Sequence, residues 1–361
     1  VNLSAELAAW LRVSLTPGVT PRAFTSLLKA FGGPEEILAQ PGSRLAAYSS
    51  QKVAGALVDT DVSAALSMIS TWLDDPNNHV VTLGDASYPA SLLNTTDPPI
   101  VLYAKGNVSF LNRPSIAVVG SRQATRAGLE NSYAFSRALS EAGLVVTSGL
   151  ALGIDAAAHR GAIDGGAGTI AVVGTGLDIV YPARNRALAH DIAGHGVLVS
   201  EFPLGTPGRA ENFPRRNRVI SGLARGCLVV EAAISSGSLI TARLAGEQGI
   251  DVFAIPGSIH SPLAKGCHSL IKQGAKLVDT AADILEELGY ARPAAGSSHM
   301  TDGASEQPSF LLPMMGYDPC NIDLLVERTG VSVNEVSEEI SRLELQGIIE
   351  GLPGGQYQRI R

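Results

Sequence analysis

The run Asn212-Phe213-Pro214-Arg215-Arg216-Asn217-Arg218 sets three arginines within four residues beside an aromatic ring. From 209 to 225 the chain carries five arginines against one acid, Glu211. A solvated helix face ordinarily interleaves both signs. A one-sided run in a chain of formal net charge −7 therefore asks for an anionic partner. Guanidinium is a planar fork of donors suited to phosphate oxygens. A neighbouring ring can accept the face of a base, worth about 1–3 kcal/mol. Together they suit an unpaired polynucleotide; a mononucleotide does not need that length of charge. The competing reading is a staple of structural salt bridges.

Further donors recur elsewhere. Gly120-Ser121-Arg122 is a tight turn ahead of a helical run, a setting that favours an anion, and Arg122 adds a guanidinium. Ser236-Gly237-Ser238 offers amide and hydroxyl donors at the start of another helix, and Lys265-Gly266-Cys267-His268 lies in a later loop. Asp155 and His159 are spaced i, i+4, so they share a helix face. With no nucleophile at a fixed spacing, they are read as holding their loop in shape, as are Asp178 and Asn185. Neither the dinucleotide fingerprint G-x-G-x-x-G nor the P-loop G-x-x-x-x-G-K-[ST] occurs after the expected strands. No spacing of Cys227, Cys267 and Cys320 suggests a disulfide framework or zinc site. No metal or cofactor is expected.

The elements that must position these groups are short apolar runs: 116–120, 144–149, 169–174, 197–201, 228–231 and 252–256. Each reads as a strand buried on both faces. Amphipathic stretches such as 127–142 and 236–249 separate them, so the order βαβα calls for an α/β fold with a mostly parallel sheet. The polar residues follow the strands rather than lying along them. In an open parallel sheet they gather in one crevice at the carboxyl edge.

Residues 3–13, 21–31, 34–38 and 59–73 read as helices, with another near 44–56. Pro17-Gly18-Val19-Thr20 is similar to a helix–hairpin–helix turn, with Thr20 where a second glycine is usual; a packing module is the favoured reading. Strands near 80–83 and 100–103 would add a pair to the main sheet. Residues 291–316, rich in Ala, Pro, Gly and Ser, predict a linker. Helices at 321–328 and 333–346 and strands at 347–350 and 356–360 follow, a winged-helix order. That segment, 317–361, holds four arginines and eight acids. Phosphate contact needs the opposite sign, so a protein-contact or regulatory role is favoured.

Six motifs occur in order: G-S-R; S-G-x-A-x-G-I-D-x-x-A-H; G-x-G-x-D-x-x-Y-P-x-x-N; F-P-x-R-N-R-x-I-S-G-L; E-A-x-x-x-S-G-S-L-I-T-A; and F-A-x-P-G. Over 80–289 the chain resembles the DNA-processing protein A family (DprA, also called Smf). The resemblance implies an extended Rossmann-like domain (76–290) between an N-terminal helical, sterile-alpha-motif-like module (1–75) and a C-terminal winged helix (317–361). It implies a non-catalytic homodimer that binds and protects single-stranded DNA during natural transformation and hands it to the RecA recombinase. DNA contact is carried to Arg122, Phe213, Arg215, Arg216, Arg218 and Ser238, and also to Ser121, Gly237 and Lys265. The dimer is expected to involve His268, Leu270 and Ile271. The alternative is a Rossmann-like nucleotide-processing hydrolase, in which Glu231 beside Ser236–Ser238 would help cleave an N-glycosidic bond. No apolar run has the length of a membrane helix and nothing reads as a signal peptide, so a cytoplasmic protein is expected.

Overall fold

The computed structural model describes residues 3–290 and 309–360. They fall into two compact units, one on either side of 291–308. Most of the expected linker, 291–308, lies outside the described residues.

The first unit is built on a nine-stranded sheet. Its strands are Asn78–Thr82 (β1), Val101–Gly106 (β2), Ser115–Val119 (β3), Val145–Ser148 (β4), Thr169–Val172 (β5), Gly196–Ser200 (β6), Gly226–Val229 (β7), Asp251–Ala254 (β8) and Lys276–Leu277 (β9). Their spatial order is β1-β2-β6-β5-β4-β3-β7-β8-β9. From β6 to β9 every pairing is parallel, while β2 runs antiparallel to both β1 and β6. The period-two alternation of side chains divides the apolar runs between two cores. Ala117, Val119, Val145, Ile170 and Cys227 join one core, and Ile116, Val118, Val146, Leu228 and Phe253 join the other.

The strand order creates the crevice. From β3 the chain steps outward through β4 and β5 to β6. The helix Asn212–Leu223 then carries it to β7, which pairs with the other side of β3. The loops leaving β3 and β7 depart on opposite courses, and such a switch point leaves an opening at the carboxyl ends.

The N-terminal helices are Ala5–Leu15, Pro21–Phe31, Pro34–Leu38, Gly42–Leu45, Gln51–Asp59 and Ser63–Trp72. Ser4, Thr20 and Ser50 each cap a helix by accepting an amide from its first turn. Where the sequence predicts one helix over 59–73, the helix begins at Ser63, and Asp59 closes the preceding one. The Asp61 carboxylate accepts the Ser63 amide at 2.9 Å, a local bond at the start of the later helix. Leu11, Phe24, Leu27 and Ile69 pack with Val101 and Tyr103 of β2, which ties the helices to the sheet edge. Among the described residues no single helix is long and apolar enough to cross a membrane.

The second unit is a winged helix. Helices Ile322–Thr329 and Val333–Leu345 precede the hairpin Ile349–Leu352 (β11) and Gln356–Arg359 (β12), and Cys320–Asn321 (β10) pairs with β12. Leu325, Val336, Ile340 and Leu343 form its core. The Leu312–Met315 helix corrects the end of the expected linker: Leu311 and Met315 are buried in this core, which fixes a stretch that composition alone reads as irregular.

Candidate nucleic-acid interface

A cleft of about 840 Å³ opens at the switch point. Its walls include Ser121 and Arg122 from the loop after β3, Tyr181 from the loop after β5, Phe213 and Arg216 from the Asn212–Leu223 helix, and Ser238 at the start of the helix after β7. Gly237 also lines it. Six of the nine residues expected to contact DNA therefore come together. Arg122 is exposed, and its guanidinium carbon lies 5.4 Å from the centre of the Phe213 ring. Among the described residues no carboxylate forms a salt bridge with it. The ring that steadies this charge leaves its donors free.

Arg216 lines the same cleft but is committed to the fold. It is 4 % exposed. Its Nη1 donates to the Gly149 carbonyl at 2.6 Å and to the Val172 carbonyl, joining the carboxyl ends of β4 and β5. Glycine at 149 is required here, because a Cβ would fall on this guanidinium. Burial pushes the Arg216 pKa down to about 10, with Asp155 opposing the shift. Asp155 accepts the Gly149 and Ala151 amides at 3.2 and 3.3 Å. Burial raises its pKa, and Arg216 works against that rise.

The expectation that all three neighbouring arginines reach the crevice is corrected. Arg215 and Arg218 pair instead with Glu201, at 2.9 and 2.5 Å. The Glu201 side chain is 3 % exposed, and desolvation raises its pKa against the pull of the two arginines. Helix geometry explains the split. Residues 215 and 218 are spaced i, i+3 and share a face, while 216 turns about 100° away toward Phe213.

The first turn also differs from expectation. The helix Arg126–Glu141 is capped by Thr125. Glu231 accepts the Thr125 amide at 2.9 Å and its hydroxyl at 2.6 Å. An anion does occupy this helix N-terminus, and it is the protein's own carboxylate. Gly128 allows the approach, since a Cβ there would overlap the Glu231 carboxyl. Thr125 engages both Glu231 oxygens, and Glu231 is not among the residues lining the cleft. The Ser238–Glu247 helix has no side-chain cap, and its opening Ser236 and Ser238 hydroxyls lie 2.7 Å apart. Both serines and Arg122 line the cleft.

Asp178 and Asn185 shape loops. Asp178 accepts the Gly205 amide at 2.9 Å, and the Asn185 amide donates to the Leu150 and Ala151 carbonyls. His159 is fully buried, and burial drives its pKa down to about 3, with Arg216 adding to the shift. Thr169 donates its hydroxyl proton to the Val146 carbonyl, so the hydrogen-bond pattern assigns His159 as the Nδ1–H donor to Thr169 Oγ1 at 2.7 Å.

Lys265 is exposed at the start of the helix Lys265–Lys272 and is not among the residues lining the cleft. His268 Nε2 lies 3.0 Å from the Gly257 carbonyl of its own chain. Leu270 and Ile271 are partly buried against the first core. Tyr181, Gln123 and Asn217 line the cleft without having been singled out from the sequence. For Tyr181 the signal is its fixed place in the motif G-x-G-x-D-x-x-Y-P-x-x-N, in a loop after a strand.

A mostly parallel open sheet with an arginine-bearing cleft at its switch point, accompanied by a winged helix, defines a Rossmann-like protein with an appended winged-helix module. Comparison with known proteins narrows the class. Residues 79–289 match the family model for DNA recombination-mediator protein A, and residues 291–355 match the DprA winged helix domain. The chain belongs to this DprA/Smf family. It is 45% identical to Protein Smf of Escherichia coli (strain K12) over 299 residues, covering 80% of this chain and 79% of that protein. It is 47% identical to DNA processing protein DprA of Streptococcus pneumoniae over 206 residues, 57% of this chain and 73% of the relative. The solved structure of the Streptococcus pneumoniae protein aligns with a TM-score of 0.69 at 37% identity, covering 80% of this chain and 99% of that one. DNA processing protein A from Helicobacter pylori, whose structure describes a single-stranded DNA binding mode, aligns with a TM-score of 0.54 at 28% identity, covering 59% and 98%.

Proposed function

We propose that this protein binds single-stranded DNA in the switch-point cleft, shields it during natural transformation, and passes it to the RecA recombinase. It acts as a non-catalytic homodimer in the cytoplasm. The observation that carries the reading is Arg122, an exposed guanidinium that no carboxylate meets in a salt bridge, set over Phe213 at the cleft. The Ser236–Ser238 turn lines the same space. In this reading Arg122 and Ser238 meet phosphates, with Ser121 and Gly237 beside them and Lys265 outside the cleft. Arg216 holds the wall, while Arg215 and Arg218 belong to the scaffold. Leu270 also lines a second groove, with Leu239 and Ile250, that suits a contact with a second copy. The engagement of Glu231 by Thr125 speaks against the hydrolase alternative.

A competition gel shift tests the proposal. A labelled oligo-dT complex should be displaced by unlabelled single strand, and poorly by duplex or mononucleotide. Equal competition by a mononucleotide would return the cleft to a nucleotide-processing role.

A further inference from the structure

We propose that Glu231 is a positioning residue for DNA binding: by clamping Thr125 it holds the Arg122 loop in place for a phosphate. The proposal rests on the single-strand reading above. Arg122 lies on a short loop, residues 120–124, between β3 and the Thr125 cap of the helix Arg126–Glu141. Arg122 and Gln123 are exposed, so packing alone leaves this segment free to swing. Two pins hold it. At the near end the Ser121 carbonyl accepts the Ile154 amide at 3.1 Å. Gly153 lets the backbones meet there, since a Cβ would fall on the Ser121 and Arg122 carbonyl oxygens. At the far end the Glu231 carboxylate takes the Thr125 amide on one oxygen and its hydroxyl on the other. Arg122 is carried between the two pins.

Glu231 is itself a fixed post. The residue before it, Val230, donates its amide to the Val119 carbonyl at 3.1 Å. The residue after it, Ala232, donates to the Leu263 carbonyl at 2.7 Å and accepts the Gly266 amide at 2.8 Å. β3 and β7 are parallel neighbours at the switch point, so the clamp ties together the two loops that leave them. The Ser236–Ser238 turn starts five residues beyond the same post. One carboxylate thereby fixes the Arg122 loop relative to the serine hydroxyls. A phosphate that engages both sides meets donors already in place, which lowers the entropy lost on binding. The chemistry of the clamp makes the proposal testable by sign. Among the described residues no Lys or Arg forms a salt bridge with Glu231. Its partners are neutral donors at a helix N-terminus, so a negative charge stands beside a cleft that takes an anion. Like charges oppose association. A bystander carboxylate, once neutralised, would let the strand bind more tightly; a clamp, once broken, makes it bind less tightly.

The test measures oligo-dT binding across a salt series, using the full chain and the variants Glu231→Gln, Thr125→Val and Thr125→Ser. The first two are also made in an Arg122→Ala background. Thermal melts establish that each variant folds; should Glu231→Gln fail to, the two Thr125 variants carry the same comparison. Glu231→Gln keeps the size of the side chain but sets an amide donor against the donors of Thr125. We expect it to weaken binding roughly tenfold, the lower end for a hydrogen bond to a charged group. It should also shallow the salt slope by about 0.7, as the loss of one single-strand phosphate contact does. Thr125→Val leaves the Glu231 charge in place and should act in the same direction to a lesser degree. Thr125→Ser keeps both bonds and should bind as wild type does. In the Arg122→Ala background neither Glu231→Gln nor Thr125→Val should cost anything further, because the clamp acts through that guanidinium. The proposal is overturned if Glu231→Gln tightens binding or leaves it unchanged, if its cost persists undiminished without Arg122, or if Thr125→Ser fails as Thr125→Val does. A wild-type protein that does not bind oligo-dT would remove the single-strand reading itself, an outcome visible before any variant is compared.

Discussion

The two faces of the Asn212–Leu223 helix carry the same residue type to different ends. On one face Arg218, largely buried, and Arg215, half exposed, converge on buried Glu201. On the other, Arg216 is buried against backbone carbonyls and sits with Phe213 below a different arginine, Arg122, which comes from another loop and remains open. Two arginines of the dense cationic run thus pair with one carboxylate and the third is buried. The arginine that stands exposed at the cleft without a salt bridge comes from about ninety positions earlier in the chain. What decides availability is the number of internal acceptors each guanidinium meets, not how many arginines lie together.

The largest effect should come from the buried face. Arg216→Ala would strand two carbonyls and remove the larger of the two charges that compensate buried Asp155, costing about 3–5 kcal/mol in urea unfolding. Arg216→Lys should recover little, because an ammonium is more strongly hydrated than a guanidinium and loses more on burial beside these carbonyls. A loss of only a few tenths would mean that Arg216 is free to serve a ligand.

The opposite face should show a smaller cost and no loss of binding. Glu201→Gln is expected to lower stability by about 1.5–3 kcal/mol, the worth of hydrogen bonds to a charged group, with oligo-dT affinity retained. Markedly weaker binding would place Glu201, Arg215 and Arg218 at the interface after all.

The buried face also sets a pH dependence. His159 has its folded pKa depressed to about 3 from an ordinary 6.5. Between those values the unfolded chain binds the proton more readily, so stability from this residue is complete above pH 6.5 and declines as the pH falls toward 3. By linkage the decline amounts to about 2 kcal/mol on going from neutral pH to pH 5. Asp155 and Glu201, raised in the fold, act in the opposite direction. The measurable quantity is therefore the difference between wild type and His159→Asn in urea unfolding at the two pH values. An identical pH slope in the two proteins would show that His159 does not titrate on unfolding.

The smallest effect should come from the winged helix. Its Val333–Leu345 helix presents Glu338 and Glu344, while Glu335 caps Ser332 and Glu339 pairs with Arg342. Removing residues 292–361 should leave oligo-dT affinity nearly unchanged in a gel shift. A collapse of binding would show that charge balance misjudges that module.

The fold was largely legible in the sequence because doubly buried strands are continuous apolar runs, and the carboxyl-edge rule then places the crevice. Boundaries failed where a local side-chain bond intervened, as at Asp61, or where distant packing ordered a low-complexity stretch, as at Leu312–Met315. Within the crevice, Arg122 and Ser238 could be placed from their turns. The fates of Arg215 and Arg218 could not, because Glu201 lies fourteen residues before Arg215 and only folding brings it underneath. Their i, i+3 spacing already hinted that they face away from Arg216. Glu231 was visible beside the serine turn, but its partner Thr125 is 106 positions away.

The claim that separates the two faces is tested most directly by salt titration of oligo-dT binding. We expect Arg122→Ala to shallow the slope of log K against log salt by about 0.7, the share of one single-strand phosphate contact, and Arg215→Ala to leave the slope unchanged. A slope lowered by Arg215→Ala and untouched by Arg122→Ala would contradict the assignment of Arg122 to the DNA and of Arg215 to the scaffold.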